Sequence, residues 1–412
     1  MKYSANKLLS DKDEGFIHNL EISQQDRLHL EKAKHLIRTK LKDSFIEFNR
    51  QLEELFDRGD TAIFESLNVS LESRNQLHRL GLESREQLKK ITPLFYVQGS
   101  YAYKTINAPC HMPPQQMDLD DGVYLPMDIF EERPIAGKEL FFKTVDKSLR
   151  ALAKEQNWEF KDNKVTCARL IIRSDMHIDI PLYAVPSDKT QHLEKAALNR
   201  SKVAGESMSY DAKSKPIYLD PNEIFMAVRN EEHWIKSDPA KIKQWFNSAC
   251  DLHGESLRRV CRYLKAWRDY KWPDGGPSSI TLMACAVETF NNAKVRLEDD
   301  SEALNRVSNA LPAQLSREIM NPTDDTEPPL FPRGQKAEEL DKIRAMAQDL
   351  ASDVDKALNA STRQEANFKL RAIFGPRLPN KPELITDHAD LAVKTAKPIP
   401  QPQPNVRNMK AG

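Results

Sequence analysis

The 412-residue chain carries 61 basic and 61 acidic side chains, so its formal net charge at neutral pH is zero. This balance provides no long-range attraction for nucleic acid or for an anionic membrane. The length suffices for about two or three domains. Because the N-terminal segment is polar and no run of about eighteen apolar residues occurs, we expect a cytoplasmic protein that does not bind membranes.

The cysteines are too scattered to form a redox pair or a zinc site. No C-x-x-C pair and no cluster of Cys and His at zinc spacing occurs in the sequence. We therefore predict reduced and mostly buried thiols. The five cysteines are Cys110, Cys167, Cys250, Cys261 and Cys285.

A long amphipathic helix is predicted to begin after Ser23, and residues 1–22 precede it as an N-terminal extension. Ser23 followed by Asp26 is a plausible capping start. Apolar residues recur every three or four positions, which is the spacing of one helix face. These residues are Leu30, Ala33, Ile37, Leu41, Phe45, Phe48, Leu52 and Leu55.

The pattern changes between Leu94 and Val185, where short β-rich runs alternate with polar or proline-bearing loops. The runs are FYVQGS, DLDDGVYL, CARLII and MHIDIPLYAV. Such runs predict the strands of a mixed sheet. Together with the long helix, the sheet is expected to form one domain over residues 23–216.

Helical periodicity then returns, most strongly over Glu255–Asp269 and Ser278–Phe290, and predicts a separate helical domain over residues 217–393. Residues 394–412 are rich in proline without apolar periodicity, so we predict a disordered tail. The first strong helix should bury one apolar stripe and expose its arginines, with Lys265 at the border. The stripe is Leu257, Val260, Cys261, Leu264 and Trp267, and the arginines are Arg258, Arg259, Arg262 and Arg268.

Three carboxylates carry the main chemical signal. Asp118 and Asp120 are two residues apart in a β-rich run, so they should share one face of the sheet. Asp121 should face the opposite side, and we interpret it as a strand-end or turn carboxylate. A neighbouring strand containing Asp179 could bring a third oxygen ligand beside the pair. Three such ligands suit Mg²⁺, which completes its coordination with water and substrate phosphates.

A possible phosphate-binding turn lies upstream of the carboxylates. Gln98, Gly99 and Ser100 follow an apolar run, which is typical of a strand that leads into a turn and a helix. Glycine allows a phosphate to approach the backbone N–H groups, and Ser100 adds a hydroxyl donor. Each motif is weak alone, whereas a Gly-Ser turn followed by Asp-x-Asp and a later strand aspartate is informative.

This combination resembles the polymerase-β-like nucleotidyltransferase superfamily. Six longer segments are similar, in order, to bacterial cGAS/DncV-like nucleotidyltransferases, specifically the DncV-type cyclic GMP-AMP synthases. The resemblance covers Ser23 to Leu384 and implies an α+β fold: a nucleotidyltransferase core with a mixed sheet, flanking helices and a long N-terminal helix, plus a C-terminal helical domain. The segments are FYVQGSYAY, MDLDDGVYLPM, HIDIPLYAVP, WIKSDP, VCRYLKAWRD and GGPSSI.

The resemblance also implies roles for particular residues. Asp118, Asp120 and Asp179 would bind two Mg²⁺ ions, or Mn²⁺ instead, and Asp179 would help to deprotonate the attacking 3′-hydroxyl. Residues implied to hold donor phosphates are Gln98, Gly99, Ser100 and Tyr103. Further implied nucleotide contacts are Arg169, Ser237, Lys265 and Ser279.

Simpler interpretations compete with some of these assignments. Arg169 could be an exposed strand arginine, and Lys265 could belong to a solvated helix face. Ser278 is the favoured helix cap beside Ser279. The family carries an acidic nucleotide contact where this chain has Thr326, so Asp325 beside it is the expected substitute.

The implied activity joins ATP and GTP into 3′,3′-cyclic GMP-AMP with release of pyrophosphate, without a DNA requirement. The product would act on a downstream effector in antiphage defence, and a ubiquitin-activating-like partner would conjugate the C-terminal Gly412. One alternative is another cyclic di- or trinucleotide or a linear oligoadenylate. A nucleic-acid sensor with vestigial carboxylates is a second alternative, which the neutral charge and the missing zinc ribbon disfavour.

Overall fold

The computed structural model describes most of the chain. The described residues are 1–126, 134–185, 224–229, 231, 234–237, 239–293, 297–324 and 327–388. None of the helices within these ranges is long and apolar enough to cross a membrane. Asp325, Thr326, the predicted domain boundary at residues 216 and 217, and the proline-rich tail with Gly412 lie outside the described residues.

The long helix predicted after Ser23 is confirmed as α3 (Gln24–Arg58), which follows two short helices, α1 (Asn6–Ser10) and α2 (Phe16–Asn19). The Ser23 hydroxyl caps α3 by accepting a hydrogen bond from the backbone N–H of Asp26. All eight apolar positions of the predicted stripe are buried. Burial of each Leu, Ile or Phe side chain contributes about 1.5–3 kcal/mol. Three short helices follow: α4 (Ala62–Ser66), α5 (Leu71–His78) and α6 (Leu82–Leu88).

The predicted mixed sheet is confirmed. Within the described residues it has seven strands: β2 (Leu94–Gln98), β3 (Met117–Pro126), β4 (Glu159–Lys161), β5 (Cys167–Arg173), β6 (Met176–Val185), β7 (Phe225–Met226) and β8 (Ile235–Lys236). The strand order is β2-β3-β6-β5-β4, and β7 pairs with both β6 and β8. Strands β3 and β6 are parallel, and the other pairs are antiparallel.

Helices pack on one face of this sheet, and the predicted metal-binding aspartates lie on the other face. The apolar side chains of alternate strand residues, such as Leu119 and Ile178, share a core with α3 and with α8 (Pro134–Gln156). The intervening residues face the other way because side chains alternate along a strand. This second face carries Asp118 and Asp120, and the short helix α7 (Gly99–Ala102) follows β2 beside it.

A bundle of helices forms the C-terminal part. Its members are α9 (Pro239–His253), α10 (Glu255–Lys271), α11 (Ser279–Asn291), α12 (Asp300–Gln314), α13 (Ala337–Leu358) and α14 (Arg363–Phe374), followed by 3₁₀ turns at Gly375–Arg377 and Pro382–Leu384. Their apolar faces meet in one core cluster. The two strongly periodic segments of the sequence are thus confirmed as α10 and α11.

Helix α10 is more enclosed than its sequence predicts. The expected apolar stripe is buried, but Arg262 and Lys265 are buried as well. The prediction of an outward Arg262 was therefore wrong. Its Nε donates a hydrogen bond to Oδ1 of Asn107 at 2.9 Å, so a polar partner from the chain after α7 replaces water.

The first twenty residues belong to the helical part of the molecule. Strand β1 (Tyr3–Ser4) pairs antiparallel with β9 (Thr386–Asp387), which lies near the end of the described chain. Leu8, Leu9 and Phe16 are fully buried in the same core cluster as the C-terminal helices. The segment predicted as an extension is therefore an integral part of the helical core.

Asp121 ties the sheet to the long helix. It faces away from Asp120, as predicted, but it is only 1% exposed and lies within β3, so the strand-end interpretation was wrong. The guanidinium of Arg38 on α3 donates two hydrogen bonds to its carboxylate, at 2.7 and 2.5 Å. The sequence pattern could not identify this partner, because 83 residues separate the two side chains.

Removal of Arg38 should destabilise the fold. Because Arg38→Ala leaves the buried Asp121 carboxylate without its partner, we expect the free energy of unfolding to fall by about 3 kcal/mol. Urea denaturation measures this change. Arg50→Ala on the same helix is the control, since the exposed Arg50 pairs with the exposed Glu47 and the partly exposed Glu54 and should contribute within about 0.5 kcal/mol. Equal unfolding midpoints for the two variants would contradict the structural role of the Arg38 pair.

Candidate active site

Four polar residues form a row across four neighbouring strands. In the β-sheet register Gln98 lies opposite Asp120, Asp120 opposite Asp179, and Asp179 opposite Arg169. The row crosses β2, β3, β6 and β5 on the face that the helices leave open. The sequence analysis predicted that a neighbouring strand brings Asp179 beside Asp118 and Asp120. The parallel pairing of β3 with β6 explains why these aspartates lie close together.

The carboxylates of this face interact strongly with one another. Burial, followed by the negative charges of Asp118 and Asp179, raises the pKa of Asp120 well above its ordinary value. Burial also acts to raise the pKa of Asp118, but the adjacent His177 and the positive charges of Arg169 and Lys265 outweigh it and lower that pKa. A cluster with opposed pKa shifts indicates a site built for an added positive charge.

Arg169 holds the third carboxylate in place. Its Nε and Nη2 donate hydrogen bonds to the two oxygens of Asp179 at 2.6 and 2.7 Å. The guanidinium is partly buried, so the interpretation of Arg169 as an exposed strand arginine was wrong. This two-pronged contact fixes the plane of the Asp179 carboxylate.

The turn after β2 approaches Asp120 as closely as only glycine permits. Gly99 has a φ of +65°, which lies in the left-handed region. A Cβ atom at this position would lie 1.9 Å from Oδ2 of Asp120. The predicted Gly-Ser turn therefore lies directly against the carboxylate pair.

The amide group of Gln98 is engaged by two tyrosines. Its Nε2 donates a hydrogen bond to the Tyr183 hydroxyl at 2.8 Å, and its Oε1 accepts one from the Tyr124 hydroxyl at 3.1 Å. The two tyrosine rings stack with their centroids 4.7 Å apart. Both ends of the amide are thus held by the protein, and no sequence pattern indicates these partners.

A cavity of about 180 Å³ opens in front of the Gly-Ser turn and Asp120. Tyr103 and Ser237 line it, as expected from their predicted nucleotide contacts. A second wall comes from the first turn of α9, which the sequence interpretation missed, and from the loop after α12, where it expected only Asp325. The missed lining residues are Pro239, Lys241, Ile242, Asn321, Thr323, Asp324 and Glu327.

The remaining predicted contacts are not among the described residues that line this cavity. Ser100 lies in α7, beside Gly99. Lys265 is 5% exposed and donates a hydrogen bond to the carbonyl of Thr105 at 2.7 Å, so it is not on a solvated face. Ser279 accepts a hydrogen bond from Arg268 at 2.9 Å and is not among the described residues that line the cavity. Ser278 is the cap of α11, as predicted.

The carboxylate side of the cleft fits a divalent cation. Ligand atoms of Asp118, His177 and Asp179 lie within 4.8 Å of one another. Within the described part of the chain, Oδ1 of Asp118 and Nε2 of His177 are buried yet form no hydrogen bond. The two atoms lie 2.9 Å apart without a hydrogen bond, and a coordinated cation would bind both.

The five cysteines are free, and four of them are buried, as predicted.

Comparisons with known proteins agree with this geometry. Residues 93–183 match the family "Cyclic GMP-AMP synthase DncV-like, nucleotidyltransferase domain". Residues 254–387 match "Cyclic GMP-AMP synthase, C-terminal domain". The first match contains the row of polar residues, and the second contains the helical bundle from α10 onward.

Similar proteins align with nearly the whole chain. A cyclic GMP-AMP synthase of Vibrio cholerae is 33% identical over 93% of this chain and 93% of its own. A cyclic GMP-AMP synthase of Escherichia coli strain TW11681 is 32% identical over 99% of both chains. The structure of a Vibrio cholerae di-nucleotide cyclase (DncV) variant in complex with ATP, GTP and 5MTHFGLU2 superposes with a TM-score of 0.80, at 30% identity, over 94% of this chain and 99% of that chain.

The strand register, the cleft and the near-complete alignment lead to one assignment. The chain belongs to the DncV-like cyclic GMP-AMP synthase family, and it is a nucleotidyltransferase that synthesises a cyclic dinucleotide.

Proposed function

We propose that this enzyme joins ATP and GTP into 3′,3′-cyclic GMP-AMP and releases pyrophosphate. The observation that carries the proposal is the row of Gln98, Asp120, Asp179 and Arg169 beside the Gly99 turn. It supplies carboxylates where the reacting groups meet and a glycine turn where phosphates can approach. Relatives named cyclic GMP-AMP synthase support the choice of product.

We assign the metal role to Asp118, Asp120 and Asp179, with two Mg²⁺ ions as the natural occupants and Mn²⁺ as a substitute. When bound, the ions would neutralise the leaving pyrophosphate and favour ionisation of the attacking hydroxyl. Two ions are proposed because nucleotidyl transfer develops negative charge on both the attacking and the leaving oxygen.

The protein groups divide the remaining tasks. Asp179 accepts the proton of the 3′-hydroxyl, and Arg169 keeps its carboxylate oriented. The turn at Gly99 and Ser100 positions the donor phosphates, with Gln98 and Tyr103 beside it. Such positioning contributes much of the rate in phosphoryl transfer, since the reaction needs little covalent help from the protein.

Ser237 from the cavity wall and Ser279 from α11 complete the proposed nucleotide contacts, and Asp325 stays a prediction for the base-contacting position.

Lys265 is proposed to act as a cationic phosphate ligand. Burial, followed by the positive charge of Arg268, lowers its pKa to about 8. Its charge influences the pKa values of both Asp118 and Asp120, so the ammonium lies within electrostatic reach of the cleft. Nucleotide binding would favour the charged form, because a phosphate adds negative charge to that of Asp269 and Asp118.

Lys265→Met should raise the KM for nucleotide by at least about tenfold with a smaller effect on kcat. A hydrogen bond to a charged group contributes roughly 1.5–3 kcal/mol, which its loss removes from substrate binding. In the wild type the lowered pKa means that the ammonium is lost as the pH rises through about 8, so KM should rise there. The variant should lack this rise.

Initial rates measured against nucleotide concentration between pH 7 and 9 check both statements. Lys271→Ala at the end of the same helix is the matched control, because Lys271 donates to the carbonyl of Ala372. If Lys265→Met kept the wild-type KM at pH 7, the phosphate role would be excluded.

The product proposal is tested by incubating the pure protein with ATP, GTP and Mg²⁺ without nucleic acid. We expect a product with the mass of cyclic GMP-AMP that a 3′–5′-specific nuclease degrades completely. A different cyclic oligonucleotide or a linear oligoadenylate would keep the enzyme class and refute the product. A requirement for double-stranded DNA would refute the proposed mode of control.

We also propose a role in antiphage defence, in which the product activates a downstream effector. Relatives named cyclic GMP-AMP synthase support the identity of the product on which such an effector would act. A ubiquitin-activating-like partner is proposed to conjugate the carboxylate of Gly412. This proposal rests on the proline-rich composition of the segment before Gly412, which lies outside the described residues.

Deletion of Asn408–Gly412 should leave the turnover of the purified enzyme unchanged and reduce protection of cells that carry the partner. The deleted residues are remote in sequence from every proposed site residue, so only conjugation should suffer. Phage plaque counts and the rate of product formation measure the two effects. Full protection by the truncated protein would contradict the conjugation role, and a catalytically inactive Asp120 variant sets the unprotected baseline.

A further inference from the structure

His177 has an unusual position among the polar residues of the cleft. It is 6% exposed, and its strand residue lies opposite Asp118 in the parallel pair of β3 and β6. Its Nε2 is 2.9 Å from Oδ1 of Asp118 and 4.0 Å from Oδ1 of Asp179. Neither Nε2 nor the Asp118 oxygen forms a hydrogen bond within the described residues.

The other ring nitrogen reveals which tautomer the histidine adopts. Nε2 of Gln116 donates to the carbonyl of Ser174 at 2.9 Å, and a carbonyl can only accept. The amide oxygen of Gln116 must therefore face His177, where it lies 3.0 Å from Nδ1. Nδ1 is thus a donor, which leaves Nε2 as the ring nitrogen that can bind a cation beside the carboxylates.

This arrangement groups one ring nitrogen and two carboxylates around a small space. Nε2 and the Asp118 oxygen are 2.9 Å apart, and a cation bound between them would take the place of a proton there. The distances agree with a coordinated cation: for metal–ligand bonds of about 2.1 Å, adjacent ligands of an octahedron are about 3.0 Å apart and opposite ones about 4.2 Å. A histidine ligand whose second nitrogen donates to a carbonyl oxygen is the usual pattern at metal sites.

We propose that His177 is a nitrogen ligand of the metal site, held in its tautomer by Gln116, and that it shifts the metal preference from Mg²⁺ toward Mn²⁺. Imidazole binds transition ions more readily than Mg²⁺, which prefers oxygen ligands. The oxygens of Asp118 and Asp179 serve either ion. His177 thus decides selectivity, and Gln116 is a positioning residue that acts through it.

The test uses the full-length protein with Mn²⁺ alone and measures binding rather than turnover. Electron spin echo spectra of the bound Mn²⁺ should show coupling to nitrogen in the wild type, and the coupling should change when histidine is labelled with ¹⁵N. His177→Gln should lose the coupling and bind Mn²⁺ at least about tenfold more weakly, with a smaller loss for Mg²⁺. Gln116→Leu should weaken Mn²⁺ binding to an intermediate degree.

His111→Gln is the matched control, because His111 lies outside the cleft with its Nε2 next to the carbonyl of Tyr270. Wild-type spectra without nitrogen coupling, or equal Mn²⁺ affinity of wild type and His177→Gln, would overturn the proposal. If His177→Gln fails to fold, the ¹⁵N-labelled wild type still decides the question. The inference rests on the metal role of the proposed function, yet the two fail separately: nitrogen coupling without cyclic GMP-AMP formation would refute only the product.

Discussion

Asp120→Asn is expected to abolish turnover while leaving the fold intact. The change keeps the shape of the side chain but removes the charge that a cation requires, and Asp120 lies at the centre of the strand row. We expect the rate to fall by more than the roughly 10–100-fold that loss of an outer partner of a metal ligand costs. Product formation with Mg²⁺ measures this loss.

The same variant should be at least as stable as the wild type without metal. The pKa of Asp120 is raised, so between its ordinary value of 3.8 and its folded value the folded state binds more protons than the unfolded state. Wild-type stability therefore falls as the pH rises through this interval, and the variant escapes this loss. Thermal unfolding at pH 7 without metal should favour Asp120→Asn, and the advantage should disappear near pH 4.

Asp162→Asn provides the control, since Asp162 lies in the same domain and forms an exposed ion pair with Arg150. It should change neither turnover nor stability measurably. Near wild-type activity of Asp120→Asn with Mg²⁺ would exclude the assigned role of this carboxylate.

Gly99→Ala should impair catalysis far more than stability. The new Cβ would lie 1.9 Å from Oδ2 of Asp120, and the carboxylate can rotate away more easily than the backbone can move. A displacement of about 1 Å at reacting groups can cost about a hundredfold in rate. The left-handed backbone adds a stability cost of about 1–2 kcal/mol.

Gly59→Ala is the control that separates the loss of catalysis from the loss of stability. Gly59 ends α3 with a φ of +74°, and a Cβ there would meet no atom within 4 Å. Both variants should lose similar unfolding free energy in urea, whereas only Gly99→Ala should lose kcat. Similar kcat values for the two variants would show that the close approach to Asp120 is not required.

Local periodicity predicted the elements that carry strong patterns. The stripe from Leu30 to Leu55 predicted α3, and the alternation around Asp118 and Asp179 predicted β3 and β6 with their shared face. Such patterns suffice because the period of a strand or helix by itself determines the face on which each of its residues lies.

Partners that are distant in sequence could not be predicted in this way. The pairing of Arg38 with Asp121, the tyrosines around Gln98 and the cavity wall from the first turn of α9 all depend on how elements pack. Arg262 was misjudged for the same reason, because a single helix face does not reveal which neighbour covers it. His177 had one usable signal: it lies two residues before Asp179 and therefore shares its sheet face.

The pairing of β1 with β9 has a consequence for synthesis on the ribosome. Tyr3 lies opposite Asp387, so the N-terminal segment has no strand partner until nearly the whole described chain has been made. At about 5–20 residues per second this delay is roughly 20–75 s. Leu8, Leu9 and Phe16 remain without their helical partners for most of this time. The sheet domain can assemble early, whereas the helical bundle closes last, when its first and final segments meet.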